Sequence, residues 1–493
     1  MSDFTRLTAE EAAELIKPSA RIGFSGFTPA GAAKAVPRAL AVRATELAKR
    51  GSPMRLSILT GASTGAAIDD ALAQAGAIAW RAPYQGSRLL RDGINRGEID
   101  FVDMHLSHVP QMVDSGFLGE LDFAVVEAVG VEGDGRVYLS SSVGASPSFL
   151  RNAKQVIVEV NRRQSHRLPE MHDIAIPSGP PQRSLGIESV TQKIGVPYAA
   201  VDPKKIVGVV ETDEPDDVSP FSPPDTASQK IADHVVRFLL EERAAGRIPA
   251  SWVPLQAGVG NVANAVMAGL GAAEDVPPFE MYTEVFQDSL VDLMESGRLV
   301  GASSTALTLS PGQMGRVYDA MDFFAPRIVL RPQEVSNQPG VVRRLGLISI
   351  NTILEMDLVG CANSTHVCGT RLMNGVGGSG DFTRNAYLSI LVAPSVAKGG
   401  KISAVVPMVS HVDHNEHSVQ VLVTDQGLAD LRGLAPRERA ERIIDKCAHP
   451  SYRGYLRNYL RSCPPGHVRQ DLWRCFELHQ RLIKEGTMGP ADA

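Results

Sequence analysis

The chain has 493 residues, 44% of them hydrophobic and 21% charged, enough for sizeable cores and too apolar for a mainly disordered chain. Lys and Arg total 49 against 55 Asp and Glu, a formal net charge of -6, so no basic excess exists to hold a nucleic-acid backbone. No apolar run approaches the ~18 residues of a membrane span, and acidic residues stand where a secretion signal needs an apolar core. The five cysteines are scattered, so a disulfide framework is not expected and a reducing cytoplasm is.

Thr8 and Glu11 form a capping-box pattern that opens a first short helix. RIGFSGF (21–27) reads as a strand ending in a glycine turn, and 37–50 as a helix. Further strands are expected at 55–59, 123–127, 155–160 and 205–210. Residues 211–225 hold four prolines and six acidic residues and read as a linker. A helix follows, capped by Asp225 or Thr226, with Ile231, Val235, Phe238 and Leu239 on one face. Residues 252–271 repeat the strand, glycine turn, helix order of 21–41 and loosely echo it. Strands are expected again at 279–283, 327–331, 347–351, 386–392, 402–408 and 419–424, and Arg-rich helices from Pro436 onward. The alternation predicts an α/β fold with largely parallel sheets.

Four motifs could carry chemistry. Gly258-Val259-Gly260-Asn261-Val262 follows a strand and opens a helix, so its amides face whatever sits at the helix start. With Glu280 some 20 residues on, it also fits a dinucleotide fingerprint, and a plain turn is the structural alternative. Asn374 to Asp381 (NGVGGSGD) packs four glycines into six residues, which suits an oxyanion or phosphate cradle or a flexible loop. Glu284 ends the strand FEMYT among Tyr282, Val285 and Phe286, which would keep water from its carboxylate; taken alone it reads first as a helix-start residue and only second as a catalyst. His411, Asp413, His414, Glu416 and His417 resemble metal ligands by type, but their spacing fits no zinc motif and a hydrogen-bonded cluster is the simpler reading. Trp80 and Tyr84 read as packing residues.

Taken together, LTGASTG (59–65), AWRAPYQGSRLLRDGINRGEIDFVDMHLSHV (79–109), GVGNVANAV (258–266), YTEVFQDS (282–289), LRPQEVSNQPGVVRRLGLISINT (330–352), NGVGGSGDFTRNAYLSI (374–390), VPMVSHVDHNEHSV (406–419) and CAHPSYR (447–453) resemble the class I coenzyme A transferases. The resemblance runs over the whole chain and is nearest to the acetyl-CoA hydrolase/transferase branch, with its succinyl-CoA:acetate and propionyl-CoA:succinate CoA-transferases. It implies two tandem, similar α/β domains, at 1–215 and 226–493, with the active site at their interface. It implies Glu284 as nucleophile, Val259, Gly260 and Gly378 as oxyanion donors, and Asn337 as the residue orienting the acyl carboxylate. Lys398 matches a basic position near CoA, and Gly258, Asn261, Val262 and Gly377 belong to the same CoA-binding turns. Asp425 stands where the family usually has Glu, one methylene longer, and joins the candidates with its contact in question. The resemblance further implies acyl-CoA and small carboxylic acids as substrates, no permanently bound cofactor or metal, and a homodimer. An acetyl-CoA hydrolase is the near alternative; a nicotinamide-dependent oxidoreductase and a non-catalytic acyl-CoA sensor are the distant ones.

Overall fold

The structure, a computed structural model, describes residues 4–219 and 223–489, so residues 220–222 of the expected linker lie outside it. The chain forms two compact α/β units, and neither is one stretch of sequence. The first unit comprises residues 4–219, Glu280–Leu345 and Asn374–Asp381; the second comprises 223–279, Gly346–Met373 and 382–489.

The first unit is built on a nine-stranded sheet. Arg21–Phe24 pairs in parallel with Leu56–Leu59 on one side and Phe123–Val131 on the other. The parallel ladder continues outward through Ile78–Ala82 on one flank and through Gln155–Asn161 and Ile206–Thr212 on the other. The strands Phe123–Val131, Gln155–Asn161 and Ile206–Thr212 are rich in Val and Ile, as expected for parallel strands buried on both faces. The helix Ala35–Lys49 lays Val36, Leu40, Ala41 and Ala44 into the core formed by Ile22, Phe24, Ile58, Val125 and Ile157. It starts two residues before the expected 37–50, because the buried Glu159 carboxylate accepts the N–H groups of Lys34 (2.7 Å), Ala35 (3.1 Å) and Val36 (2.7 Å). A side chain from a distant strand caps the helix, which no local pattern encodes.

Two expectations need correction here. The segment after 211 is not wholly a linker: Ile206–Thr212 is a strand, and Asp216 and Val218 are buried. Asp216 accepts Lys34 Nζ (3.0 Å) and Gly31 N–H (3.2 Å), and Lys34 also pairs with the buried Glu127. Burial alone would pull the Lys34 ammonium down, but the two carboxylates outweigh it and hold it raised. The compact units also cut across the tandem boundaries. Residues 280–345 belong with the N-terminal part because Leu307 N–H donates to Ser141 O (2.9 Å), Val143 N–H to Thr305 O (2.9 Å) and Asp173 N–H to Leu330 O (2.8 Å). Arg331 is fully buried against Asp173 and the carbonyls of Val190 and Gln192.

In the second unit Leu255–Ala257, Ile348–Thr352, Leu388–Val392 and Val421–Thr424 run parallel in that order, closed by the antiparallel Gly427–Asp430. The helix Thr226–Ala244 is capped by Asp225, which accepts Ser228 N–H (2.8 Å). Its Ile231, Val235, Phe238 and Leu239 are buried, as the periodicity predicts. Pro436–Lys446 and Pro450–Ser462 cover the sheet with Ile443, Ile444, Leu456 and Tyr459. The expected strand 402–408 is two short ones: Ile402–Ser403 closes a hairpin with Val396–Ala397, while Val405–Val406 pairs with Glu355–Asp357. The echo between 21–41 and 252–271 is also looser than the sequence predicts, since ten residues separate strand from helix in the first case and three in the second.

Replacing Lys34 by Met keeps the volume but leaves Glu127 and Asp216 without their cation. We expect a loss of about 3–5 kcal/mol, read as a lowered midpoint of thermal unfolding at pH 8.

Candidate active site

Glu284 sits where one strand passes between two ladders. Thr283 N–H donates to Ser303 O (2.9 Å), at the end of the ladder that Phe279–Tyr282 forms beside Leu299–Ser304. Thr305 N–H then donates to Glu284 O (2.9 Å), and Val285–Gln287 continues into a second, two-stranded ladder with Ala306–Thr308. The backbone of Glu284 is therefore held on both sides while its side chain leaves the strand at the switch. Val285 and Phe286 behind it are buried.

Asn337 reaches Glu284 from the short helix Gln333–Ser336. Tyr282, two residues before Glu284, donates its hydroxyl to Val335 O (2.6 Å) and pins that helix to the strand. Asn337 Nδ2 lies 2.5 Å from Glu284 Oε1 and 3.2 Å from Asp381 Oδ2. Asp381 also accepts Ser107 N–H (3.1 Å) and Ser107 Oγ–H (2.7 Å). The glycine segment 374–381 is tied down further: Val376 N–H donates to the Asp103 carboxylate (2.9 and 3.0 Å), and Gln85 Nε2 to Asn374 O (3.3 Å).

The glycines here answer to space rather than flexibility. A Cβ at Gly378 would overlap Glu284 Oε1 and Cδ and Asn337 Nδ2. A Cβ at Gly375 would lie 3.0 Å from both Asp103 Oδ1 and Tyr84 Cδ2, and one at Gly380 would enter the His105 ring. Gly377 carries φ +59°, and a Cβ there would touch the Tyr84 ring at 3.5 Å. The backbone at 378 thus lies directly against the carboxylate, where no side chain fits.

Burial dominates the electrostatics. Part of Glu284 reaches the surface, but its carboxyl lies deep enough that desolvation pushes its pKa up to about 7. Asn337 pulls the other way and Asp381 adds to the rise. Asp381 is itself raised by burial, against hydrogen bonds from Ser107 and Asn337 and the nearby His105. Tyr84 is raised by burial first and by Glu284 and Asp103 among lesser causes.

The remaining candidates lie in the second unit. Gly258 N–H is committed to Ile350 O (2.9 Å), so it cannot serve a ligand. Val259 is exposed, and Gly260, at φ +126°, caps the helix Asn261–Ala272 without a side-chain cap. The first N–H groups of that helix, Asn261 and Val262 among them, have no partner within it. Buried Gln256 and Asn351 exchange amide hydrogen bonds (3.1 and 3.0 Å) beneath this turn. Lys398 is exposed at φ +49° in the turn joining Val396–Ala397 to Ile402–Ser403. Asp425 accepts Ser395 N–H (2.6 Å) and Gln426 Nε2 (2.7 Å), bracing two turns. Residues 411–417 form no helix, and Asp413 binds Ser364 and Thr365. Among the described residues no group of three His, Cys, Asp or Glu side chains is placed to hold a metal ion, and no helix is long and apolar enough to cross a membrane.

Comparison with known proteins decides the family. The sequence matches the acetyl-CoA hydrolase/transferase N-terminal domain over residues 1–211 and the corresponding C-terminal domain over 314–460. It is 55% identical over 488 residues to the propanoyl-CoA:succinate CoA transferase of Escherichia coli, covering 99% of both chains. The chain belongs to the acetyl-CoA hydrolase/transferase family. Other members include the succinyl-CoA:acetate CoA-transferase of Clostridium kluyveri, 43% identical over 98% of this chain and 90% of that one. The acetyl-CoA hydrolase of Schizosaccharomyces pombe is 41% identical over 99% and 97%. The fold is shared with RipA from Yersinia pestis (TM-score 0.69, 24% identity, 92% and 96% covered). It is also shared with 4-hydroxybutyrate CoA-transferase from Porphyromonas gingivalis (TM-score 0.63, 22% identity, 93% and 97% covered).

Of the candidates in this family member, Glu284, Asn337 and Gly378 meet in one place. Asp381, Ser107, Asp103 and Tyr84 stand beside them; they lie in the family-like segments 79–109 and 374–390, which assign them no role at the site. Tyr84 packs as the sequence reading has it, on the cluster that includes Phe27, Leu106 and Val285 and against Gly375 and Gly377, and in doing so it stands near Glu284. Asp381 was at least visible as the acidic end of the glycine segment.

A carboxyl raised from its ordinary range to about 7 opposes folding when ionised. The proton it binds favours the folded state fully below the unfolded pKa, near 4.3, and that support is lost as pH rises through 7. Glu284→Gln should therefore be more stable than the parent by about 3 kcal/mol at pH 8, with the gap closing towards pH 4.5. Thermal unfolding across that range checks it.

Proposed function

We propose that the protein is a CoA-transferase that moves coenzyme A from an acyl-CoA (propionyl-, succinyl- or acetyl-CoA) to a small carboxylate (succinate, acetate or propionate), with Glu284 as the nucleophile. One observation carries the reading: a carboxylate kept from water is met by one amide N–H and by backbone packed too closely for any side chain at Gly378. The names of the Escherichia coli and Clostridium kluyveri relatives support the acid pairs.

The exchange is close to thermoneutral, so the obstacle is kinetic. A solvated carboxylate is a poor nucleophile, and removing its hydration makes it a better one. In the proposed route the Glu284 carboxylate attacks the thioester carbonyl. The C–S bond breaks, giving an acyl-glutamyl anhydride and CoA thiolate. The thiolate then attacks the glutamyl carbonyl and releases the donor acid as its carboxylate, leaving a glutamyl-CoA thioester. An acceptor carboxylate reverses both steps. Each tetrahedral intermediate carries an oxyanion, and we assign the Gly378 N–H and Asn337 Nδ2–H as donors near residue 284. No proton is taken up or released overall.

The fission-yeast relative, an acetyl-CoA hydrolase, favours a second reading in which water is the final acceptor. Thioester loss from propionyl-CoA, followed with and without succinate or acetate, separates the two. We expect loss to be at least about tenfold faster with an acceptor acid; equal rates would establish a hydrolase. Gly378→Ala should lower kcat about 10²-fold by displacing the Glu284 carboxylate. Because Glu284 must be ionised to attack, kcat/KM should fall as pH drops below about 7. A profile flat down to pH 5 would contradict the assignment.

A further inference from the structure

The Asn337 amide is fully buried and fully used. Its Oδ1 accepts Ser336 Oγ–H (3.1 Å), and its nitrogen donates to two carboxylates, Glu284 and Asp381. Turning the amide over would set Oδ1 against two anions. In the free protein either carboxylate is enough to prevent that. During the proposed reaction this redundancy ends. Once residue 284 carries an acyl group or the CoA sulfur it is an uncharged carbonyl, and Asp381 is the anion left facing Asn337.

We propose that Asp381 is a positioning residue: held by Ser107, it keeps the Asn337 N–H aimed at residue 284 through the covalent stages, when charge develops on that carbonyl oxygen. The inference rests on the proposed transferase reaction and deepens it. Asp381 is built for fixity. It is buried, it takes both the backbone N–H and the hydroxyl of Ser107, and it stands on a segment anchored by Asp103 at Val376. Gly380, next to it, leaves no room between the backbone and the His105 ring. The role differs from that of Asn337, because Asp381 acts through the amide rather than on the reacting atoms.

The charge of Asp381 has a second consequence. The titratable groups around Glu284 are Asp381 on the glycine segment, Tyr84 after the strand Ile78–Ala82, and beyond them Asp103 beside Tyr84 and His105 beside Asp381. Of these, Asp381 is the negative neighbour that adds to the rise of Glu284. Removing its charge must lower the pH at which Glu284 ionises.

The test measures CoA exchange between propionyl-CoA and succinate by the full chain, using wild type, Asp381→Asn, Asn337→Ala and the double variant. We expect Asp381→Asn to lower kcat about 10–100-fold with KM for propionyl-CoA changed less than about twofold. The acid limb of its pH profile should move to lower pH. In the Asn337→Ala background the same change should cost less than about threefold, because the two residues act as one unit. An equal loss in both backgrounds would overturn the proposal, as would an unshifted acid limb. Ser107→Ala, a milder change, should act in the same direction and show the same dependence on Asn337. It serves as the test if Asp381→Asn does not fold. Failure of the wild-type protein to exchange CoA would instead refute the transferase reading, so the two failures are distinguishable.

Discussion

The Glu284 carboxylate is buried against the backbone of the glycine segment, with one strong donor, the Asn337 amide, and one anionic neighbour, Asp381. Burial and like charge make the ionised form expensive, while a single amide N–H makes it tolerable. A second or third donor would stabilise the anion and blunt it as a nucleophile. The surroundings follow from this balance: a strand that changes ladders to release the side chain, a helix pinned by Tyr282, and a loop of glycines that brings backbone where a side chain would collide. Such a site opposes folding at neutral pH, and the rest of the fold must supply the stability that tolerates it.

The glycine segment links local sequence to chemistry. Four glycines in six residues read equally well as a flexible loop or an anion cradle. The structure excludes floppiness as the reason for them, since Gly375, Gly377, Gly378 and Gly380 each lie within contact distance of Asp103, Tyr84, Glu284 or His105. Val376 and Asp381 anchor the same segment through Asp103 and Ser107. The second unit carries another kind of glycine turn, at 258–260, which is open above Gly260 and braced from below by the Gln256–Asn351 amide pair.

Much of the fold was legible in the sequence because parallel strands and covering helices write their periods directly. The helix 226–244 and the strands around Ile22, Val125, Ile157 and Ile350 are cases in point. What escaped was set by distant partners. Glu159 caps a helix more than a hundred residues upstream, and Asp216, in an acidic proline-rich stretch, is the buried partner of Lys34. The compact units depart from the tandem boundaries for the same reason: Leu307, Thr305 and Leu330 find hydrogen-bond partners in residues 141–173. At the site, Glu284, Asn337 and Gly378 were named through family-like motifs. Ser107, Asp103 and Tyr84 lie far from Glu284 in the chain, in the family-like segment 79–109, whose local pattern assigns them no part beside a carboxylate.

The central claim is that Glu284 becomes covalently acylated during turnover. Incubating the protein with propionyl-CoA, reducing with borohydride and mapping the peptides by mass tests it most directly. The expected result is a reduced adduct confined to the peptide that contains Glu284, absent when residue 284 is Gln. Sustained CoA exchange with that peptide unmodified would contradict the account.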